Sequence, residues 1–245
     1  MKYWHDEIVC KDHFSETKRK TPFCIIGYQF DYTDSSDKAL LDGIFQSSVV
    51  LSKNVNIGAA NDSTIGRSDE RLLANCIAGL TSEYCWKHFL NFRDKCVSTT
   101  PFESAANQID LEVISNHKRI EVRSSFPRNG LPFAICHPEK EFDILGPYSN
   151  SYKPGEVYKD YYVRTLFHLE TPMKIIEKIH SNEFIVYLTG GATHEMMFDP
   201  NLSKNKDLIP EDSFGVQEKT TYRVVPFHNA LDCREIYKCI TSEKA

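Results

Sequence analysis

The stretch Asn107-Gln-Ile-Asp-Leu-Glu-Val-Ile-Ser-Asn-His-Lys-Arg-Ile-Glu-Val-Arg-Ser-Ser-Phe126 decides the fold. Apolar residues alternate with charged ones in both of its halves, on either side of a polar break at residues 115–118. The apolar positions are Ile109, Leu111, Val113, Ile120 and Val122, and the charged ones between them are Asp110, Glu112, Glu121 and Arg123. Alternation with period two is typical of strands that bury one face. The pattern therefore predicts two antiparallel strands joined as a hairpin.

The charged face of this hairpin is the first candidate site. A hairpin centred on residues 116–117 places Asp110 opposite Arg123 and Glu112 opposite Glu121. Directly opposed like charges destabilise a sheet, so the two glutamates need compensation. A divalent cation would supply it, because Mg²⁺ prefers carboxylate oxygens. The alternative is a solvated face on which Asp110 pairs with Arg123 across the strands.

Composition narrows the classes of protein. The chain has 245 residues, 41% of them hydrophobic and 26% charged, as expected for a globular protein. No apolar run approaches the roughly 18 residues that a membrane span needs. The N-terminus lacks the apolar core of a signal peptide, which predicts a cytoplasmic protein. The net charge of −5 counts against a nucleic-acid binder, although a local basic groove can coexist with an acidic total.

The cysteines form no recognisable motif. They are scattered and include no CxxC pair: Cys10, Cys24, Cys76, Cys85, Cys96, Cys136, Cys233 and Cys239. Several lie inside apolar runs, as Cys24 and Cys136 do. This distribution predicts free, reduced, buried thiols rather than a zinc site or a disulfide framework.

The first half of the chain shows alternating strand and helix signals. Residues 1–22 are polar and charged, and we expect an N-terminal arm or short helix there. The further predictions are a strand at 23–30, a helix at 36–51, a polar loop at 58–68, helical structure from 69 to 92 and a short strand at 97–102. Gly79, Thr81 and Ser82 predict a break inside the helical region, with a second helix that carries Glu83 in its first turn.

The second half of the chain is also predicted to contain strands, helices and loops. The predictions are a turn at 127–130 before a short apolar run, a long surface loop at 138–160, a strand or short helix at 161–169, a helix at 174–179, a buried strand at 183–190, a polar loop at 199–219, a strand at 221–227 and a helix at 233–241. No internal repeat or clear linker interrupts the chain. We therefore expect one α/β domain over residues 1–245, with a mixed central β-sheet flanked by α-helices and a catalytic core at about 69–190.

The order of the acidic residues resembles a known pattern. A helical Glu83 is followed by Asp110 on one strand and by Glu121-Val-Arg123 on the next. Residues 80–126 thereby resemble the PD-(D/E)XK nuclease superfamily, which implies a restriction-endonuclease-like fold. That family has a glutamate on a helix, an acidic residue on a core strand and a Glu-x-Lys pair on the next strand. The chain departs from it in two places, because no proline directly precedes Asp110 and Arg123 stands where the lysine is expected.

The resemblance implies a metal centre. Asp110, Glu121 and the carbonyl of Val122 would hold one or two Mg²⁺ or Mn²⁺ ions. Glu83 would bind a second ion or orient a water, or else it is only a charge in the first turn of a helix. Glu112 is the less favoured ligand. Arg123 cannot lose its proton, so in an active site it would orient the phosphate, and in an inactive one it would neutralise Asp110.

Basic residues near the hairpin are candidate nucleic-acid contacts. They are Lys118, Arg119 and Arg128, together with Lys153, Lys159 and Arg164 among the tyrosines of residues 146–164. Cationic side chains interleaved with aromatic ones suit phosphate contact and base stacking. The alternative is a tyrosine-rich loop that packs on its own domain.

The resemblance thus implies an Mg²⁺-dependent endonuclease that hydrolyses phosphodiester bonds. DNA is favoured over RNA as its substrate, and a restriction or defence role is favoured by analogy of fold. Many enzymes of this superfamily act as dimers, so we expect a homodimer. Two alternatives stay open: a catalytically inactive nucleic-acid-binding or protein-interaction module of the same fold, and a hydrolase of small phosphoesters or glycosides that uses carboxylates for acid–base work.

Overall fold

The structure of the protein is a computed structural model that describes residues 1–10, 22–55, 68–100, 109–137, 140–149, 157–208 and 220–242. Its elements in chain order are β1 (Lys2–Ile8), β2 (Phe23–Phe30), α1 (Ser35–Ser52), α2 (Asp69–Leu90), β3 (Val97–Thr99), β4 (Leu111–Val113), β5 (Arg119–Ser125), α3 (Gly130–Cys136), β6 (Asp143–Ser149), β7 (Tyr161–Leu166), α4 (Lys174–Lys178), β8 (Phe184–Thr193), α5 (His194–Phe198), β9 (Lys204–Leu208), β10 (Thr220–Pro226) and α6 (Cys233–Thr241). Helices and strands therefore alternate along the described chain.

Seven strands form a mixed sheet in the order β1-β2-β8-β7-β5-β4-β3. β5 and β7 are parallel, and the other neighbours are antiparallel. A second, antiparallel sheet has the order β6-β10-β9. The predicted α/β class with a mixed central sheet is confirmed.

The seven-stranded sheet separates two apolar cores. One face packs against α1, α2, α4 and α6, through residues such as Leu41, Ile77, Ile175 and Ile236. The other face packs against α3, α5 and the second sheet, and its core contains Leu131 and Met197 among others. Successive residues of a strand point to opposite faces, so β2 contributes alternately to both cores. The strands that carry the candidate site are thus covered on both sides.

Several sequence predictions are confirmed closely. The helices α1 and α6 and the strands β2, β3, β8 and β10 lie where the periodicity placed them. The capping box of α6 explains its sharp start, because the Asp232 carboxylate accepts from the N–H of Glu235 while the Glu235 carboxylate accepts from the N–H of Asp232. Among the described residues, no helix combines the length and apolarity needed to cross a bilayer.

The predicted break within residues 69–92 is wrong, since α2 is one continuous helix. The hydroxyl of Ser82 donates to the carbonyl of Ala78 inside the helix at 2.6 Å, and both Thr81 and Ser82 are fully buried. Packing against the sheet thus outweighs the capping preference of these residues. As a consequence Glu83 lies in the middle of a helix rather than in a first turn, and the helix-dipole interpretation of its charge no longer applies.

Three predictions of irregular structure also need correction. Residues 2–8 form β1, an edge strand paired with β2, where an arm or helix was expected. Residues 143–149 of the predicted surface loop form β6, and residues 204–208 of the predicted polar loop form β9. Each of these segments pairs with a neighbouring strand that is apolar. The polar composition of the segment itself does not indicate this pairing.

The prediction that all cysteines are free is wrong for one pair. Cys10 and Cys136 form a disulfide, with Cα atoms 5.0 Å apart. The end of β1 and the end of α3 meet in the core between the two sheets, although 126 residues separate the two cysteines in sequence. The other six cysteines are free, and all but Cys239 are buried. Disulfides are uncommon in the cytoplasm, and the compartment stays a prediction.

The paired glycines of β8 serve close packing. Gly190 has a φ of 81°, and a Cβ there would collide with the carbonyl of Leu231. Gly191 forms an isolated bridge with Leu231, and its N–H donates to the carbonyl of Leu231 at 2.9 Å. Glycine is required where the backbone takes a positive φ or another chain approaches so closely.

The turn between β4 and β5 occupies residues 114–117. The N–H of Val113 donates to the carbonyl of Lys118 across its base at 2.8 Å. His117 takes a left-handed conformation with φ 57°, and the Asn116 side chain accepts from the N–H of Lys118 at 3.1 Å. These local contacts fix the register of the hairpin.

The observed register differs by two residues from the predicted one. Glu112 lies opposite Arg119, so the predicted opposition of Glu112 and Glu121 is wrong. The predicted opposition of Asp110 and Arg123 is wrong as well, because continuing the register by one residue brings Asp110 beside Glu121. The like-charge conflict therefore lies between Asp110 and Glu121.

Candidate active site

Asp110 lies in the interior, directly before β4. Its Oδ2 accepts a hydrogen bond from the N–H of Val122 at 2.7 Å. The β4–β5 ladder ends at the pair Leu111 and Ile120, so this carboxylate satisfies a backbone donor of β5 just beyond the ladder. The Asp110 carboxylate is thereby held against the edge of β5.

Glu121 is the centre of a buried ion-pair cluster. Its Oε1 is 2.7 Å from Nη2 of Arg123, and its Oε2 is 2.8 Å from Nζ of Lys159. The side chains of Lys159 and Glu121 are 3% and 8% exposed, so water screens this pair little. Arg123 and Glu121 are two residues apart on one strand and therefore share a face. The sequence did not indicate that Lys159, 38 positions further on, would reach the same carboxylate.

The pKa of Asp110 is strongly perturbed. It is raised from 3.8 to about 7, first by burial and then by the negative charge of Glu121. The hydrogen bond from Val122 and the charges of Arg123 and Lys159 act in the opposite sense. Two carboxylates are thus held together in the interior at an energetic cost, an arrangement typical of functional sites.

Glu83 belongs to the same electrostatic cluster. It is half-buried on α2, and burial raises its pKa well above 4.5, with further increases from Asp110 and then Glu121. Two cavities, of about 190 and 450 Å³, are lined in part by Glu83. The charges of Asp110 and Glu121 therefore act on Glu83, and a shared metal site of the three carboxylates stays a prediction.

Arg123 takes a position different from the one expected for an inactive site. It pairs with Glu121 rather than with Asp110. Its guanidinium carbon is 5.3 Å from the centroid of the Tyr148 ring, a cation–π contact between the two sheets. Since arginine keeps its proton, Arg123 can supply only positive charge and hydrogen bonds at this centre.

A second arginine lies beside Arg123. Arg164 on β7 is its register partner in the parallel pair and is 2% exposed. Its Nη2 donates to the hydroxyl of Ser125 at 2.6 Å. The pKa of Arg164 is lowered to about 10, mainly by burial; the charge of Asp143 opposes this shift and that of Arg123 contributes to it. Positive charge thus accumulates on this face of β5 and β7.

The donor set fits a hard divalent cation in part. Asp110, Glu121 and the Val122 carbonyl offer the oxygen ligands that Mg²⁺ prefers, and a cation would relieve the repulsion of the two carboxylates. However, no group of three or more His, Cys, Asp or Glu side chains in the described ranges is arranged to hold a metal ion. Both oxygens of Glu121 also contact Arg123 and Lys159. A cation would therefore bind by displacing one of these contacts.

Glu112, the less favoured ligand, lies outside the cluster. Its Oε1 is 2.7 Å from Nδ1 of the exposed His117, and it faces Arg119 on β5. Its partners belong to the turn and the strand end rather than to the centre around Glu121. Glu112 is therefore a suitable comparison residue for experiments on the site.

The predicted nucleic-acid contacts occupy different environments. Lys118 and Arg119 are half-buried at the start of β5, and Arg128 is exposed before α3. Lys159 and Arg164 are buried, where exposed positions on a loop were expected. Lys153 lies outside the described residues. Contact with nucleic acid stays a prediction for all six, but Lys159 and Arg164 can reach a phosphate only within the interior cluster.

A stack of three aromatic rings beside Lys159 was not predicted. Tyr158 lies on His194 with ring centroids 4.2 Å apart, and His194 lies on Phe198 at 4.5 Å. The spacing of His194 and Phe198 by four residues was the available signal, because such positions are neighbours on a helix.

Comparison with known proteins gives one relative. The chain is similar to "Uncharacterized protein MJECS01" of Methanocaldococcus jannaschii, with 34% identity over 116 residues, which cover 42% of this chain and 41% of the relative. The chain thus spans less than half of the length of that protein. No family model matches the chain, and no solved structure matches it.

Proposed function

We propose that the protein is a metal-dependent endonuclease that hydrolyses phosphodiester bonds, with DNA favoured as its substrate and with a restriction-endonuclease-like arrangement of its core. The observation that carries this proposal is the buried pair Asp110 and Glu121. The pair is surrounded by Arg123 and Lys159, and the pKa of Asp110 is raised to about 7. A purely structural interior would avoid such a pair, since apolar residues would fill the space at lower free energy.

The order of elements supports the fold part of the proposal. Glu83 lies on α2, Asp110 directly precedes β4, and Glu121 lies on the adjacent β5. This is the order of a glutamate on a helix and acidic residues on two consecutive strands that the sequence resemblance implied. The restriction or defence role rests on analogy of fold.

Lys159 supplies what the motif lacks. The resemblance calls for a lysine two residues after Glu121, where this chain has Arg123. The ammonium group of Lys159 reaches Glu121 from the segment before β7 instead. We infer that Arg123 and Lys159 together position a phosphate, Arg123 through its planar donors and Lys159 as a point charge.

Asp110, Glu121 and the Val122 carbonyl would hold Mg²⁺ or Mn²⁺. Such an ion would supply Lewis-acid polarisation of the scissile phosphate and stabilisation of the leaving oxygen. The chain itself contributes the orientation of the two carboxylates, through the hydrogen bond from Val122 and the pairing of Glu121. Glu83, whose pKa is raised, is placed to hold a proton near Asp110.

The test is incubation of the full chain with supercoiled plasmid, circular single-stranded DNA and RNA, in Mg²⁺, Mn²⁺ or EDTA. Circular substrates separate an endonuclease from an exonuclease. We expect metal-dependent cleavage that falls by about a hundredfold or more in Asp110→Asn and Glu121→Gln. The matched control Glu112→Gln keeps its activity. Cleavage that persists in EDTA or in Asp110→Asn would contradict the proposal.

A non-catalytic nucleic-acid-binding module is the second candidate. The observation that favours it is the complete pairing of the Glu121 carboxylate with two cations. Calorimetric titration with Mn²⁺ separates the two candidates. A nuclease centre binds the ion and loses it in Glu121→Gln, whereas a module held together by Arg123 and Lys159 binds none.

A further inference from the structure

The aromatic stack of Tyr158, His194 and Phe198 is exposed to an unusual degree. Tyr158 is 51% and Phe198 is 53% exposed, and they account for two of the three strongly exposed Phe and Tyr side chains among the described residues. The third, Phe92, lies elsewhere, against Tyr3. Two large exposed rings in one stack indicate a binding surface more strongly than single aromatic side chains at the surface do.

Both outer rings of the stack are about half exposed. His194 lies between the other two rings, at interplanar angles of 39° to Tyr158 and 33° to Phe198. Each outer ring therefore uses one face for His194, and its exposed area is available to a further planar group. Exposed aromatic side chains are the usual platform on which nucleobases stack.

The stack is fixed to the candidate active site. Tyr158 directly precedes Lys159, the lysine paired with Glu121. The Nδ1–H of His194 donates to the carbonyl of Lys159 at 3.1 Å, and its backbone N–H donates to the carbonyl of Asp160 at 2.8 Å. A base held on the stack is thus held at a fixed place relative to the Glu121 cluster.

Local charge does not favour a phosphate-binding surface. Three charged groups act on Tyr158: the carboxylates of Asp160 and Glu195 and the ammonium group of Lys118. Since two negative charges face one positive charge, the surroundings of Tyr158 are negative on balance, and base stacking rather than phosphate attraction supplies the recognition. Stacking on a protein ring needs an unpaired base, because bases inside a duplex are covered by their neighbours on both faces.

We propose that the Tyr158–His194–Phe198 stack binds unpaired bases of single-stranded nucleic acid and thereby presents single-stranded segments to the centre around Glu121. This inference rests on the proposed nuclease function, since it names the form of the substrate. One base stacks on each outer ring, on Tyr158 and on Phe198. DNA and RNA strands share this chemistry, and the experiment separates them.

The experiment measures binding of the full chain to fluorescently labelled oligothymidine, oligouridine and a duplex of equal length, in EDTA so that metal-dependent cleavage does not interfere. We expect the single strands to bind at least about tenfold tighter than the duplex. Phe198→Ala and Tyr158→Ala each weaken single-strand binding by about tenfold and leave duplex binding unchanged. Equal affinity for duplex and single strand would overturn the proposal.

Two further variants keep the test specific. Phe92→Ala removes an exposed ring outside the stack and leaves single-strand binding unchanged. Phe198→Leu keeps an apolar side chain but loses the ring, so it weakens binding nearly as much as Phe198→Ala if stacking is the cause. Full affinity in Phe198→Leu would overturn the stacking proposal. The exposure of Phe198 means that these variants fold, which circular dichroism checks.

The outcome is distinguishable from that of the nuclease proposal. If single strands bind through the stack but no metal-dependent cleavage occurs, the stacking proposal stands and the nuclease proposal is wrong. If Phe198→Ala cleaves single-stranded circles in a metal-dependent way and at an unchanged rate, the nuclease proposal stands and the stacking proposal is wrong.

Discussion

The two faces of β5 and β7 differ in charge, although adjacent residues of the same strands form them. One face carries Ile120, Val122, Val163 and Thr165 and packs toward α2, and the other carries Glu121, Arg123 and Arg164 and faces the second sheet. The apolar face is held by packing, where a substitution removes contacts but leaves no ion without its counter-charge. The charged face is held by mutual compensation, where removing one ion leaves another buried and unbalanced.

Removal of one ion from the charged face is expected to have the largest effect on stability. Lys159→Met keeps the length of the side chain but removes the ammonium group that contacts Oε2 of Glu121. We expect a loss of about 3 kcal/mol in the free energy of unfolding, measured with urea. The control Lys174→Met breaks an exposed pair with Glu177 and lowers stability by less than about 0.5 kcal/mol. Equal losses in the two variants would contradict the comparison.

Removing side-chain volume from the apolar face is expected to lower stability by an intermediate amount and to leave the rate of cleavage unchanged. Val163→Ala leaves a small cavity at a fully buried position of β7. The expected loss is about 2 kcal/mol in urea unfolding. Cleavage by the folded variant stays at the rate of the natural protein, because no contact of the Glu121 cluster changes. A large loss of cleavage at full folding would show that the two faces are coupled.

The smallest effect is expected at the hairpin turn. Glu112→Gln removes a charge that pairs with the exposed His117. Stability changes by less than about 0.5 kcal/mol, as thermal unfolding would show. Should Glu112→Gln lose as much stability as Lys159→Met, the charge cluster would extend beyond the residues around Glu121.

The sequence predicted those elements whose signals are local. Period-two alternation located β4 and β5, and the Asp232 cap with its buried positions located α6. Where a local preference opposed packing, packing decided, as at Ser82 inside α2. The strands β1, β6 and β9 were missed because their polar residues become strands only through pairing with distant partners.

The candidate site was predictable in its carboxylates but not in its cations. Glu83, Asp110 and Glu121 were selected by spacing and order, and the charges of Asp110 and Glu121 both contribute to the raised pKa of Glu83. The register between Asp110 and Glu121 was predicted wrongly, because the turn occupies residues 114–117, one position earlier than the predicted break at 115–118. The contact of Lys159 with Glu121 depends on the parallel pairing of β5 with β7, which no short pattern encodes.

The pKa of Asp110 gives the pH dependence of stability. The unfolded chain releases this proton near the ordinary value of 3.8, whereas the folded chain holds it up to about 7. Across that range the folded state binds more protons, so stability falls as the pH rises, by at most about 4 kcal/mol in total. A variant with an uncharged side chain of the same shape at position 110 does not lose stability in this way as the pH rises.

The most direct test compares Asp110→Asn with the natural protein near pH 8, about one unit above the raised pKa, by thermal unfolding and by cleavage of circular DNA in Mn²⁺. The account predicts that Asp110→Asn unfolds at a higher temperature and cleaves at least about a hundredfold more slowly. Near pH 4 the two proteins unfold at similar temperatures. An Asp110→Asn variant that is less stable near pH 8 and still cleaves would show that Asp110 is a structural counter-ion, and would contradict the account.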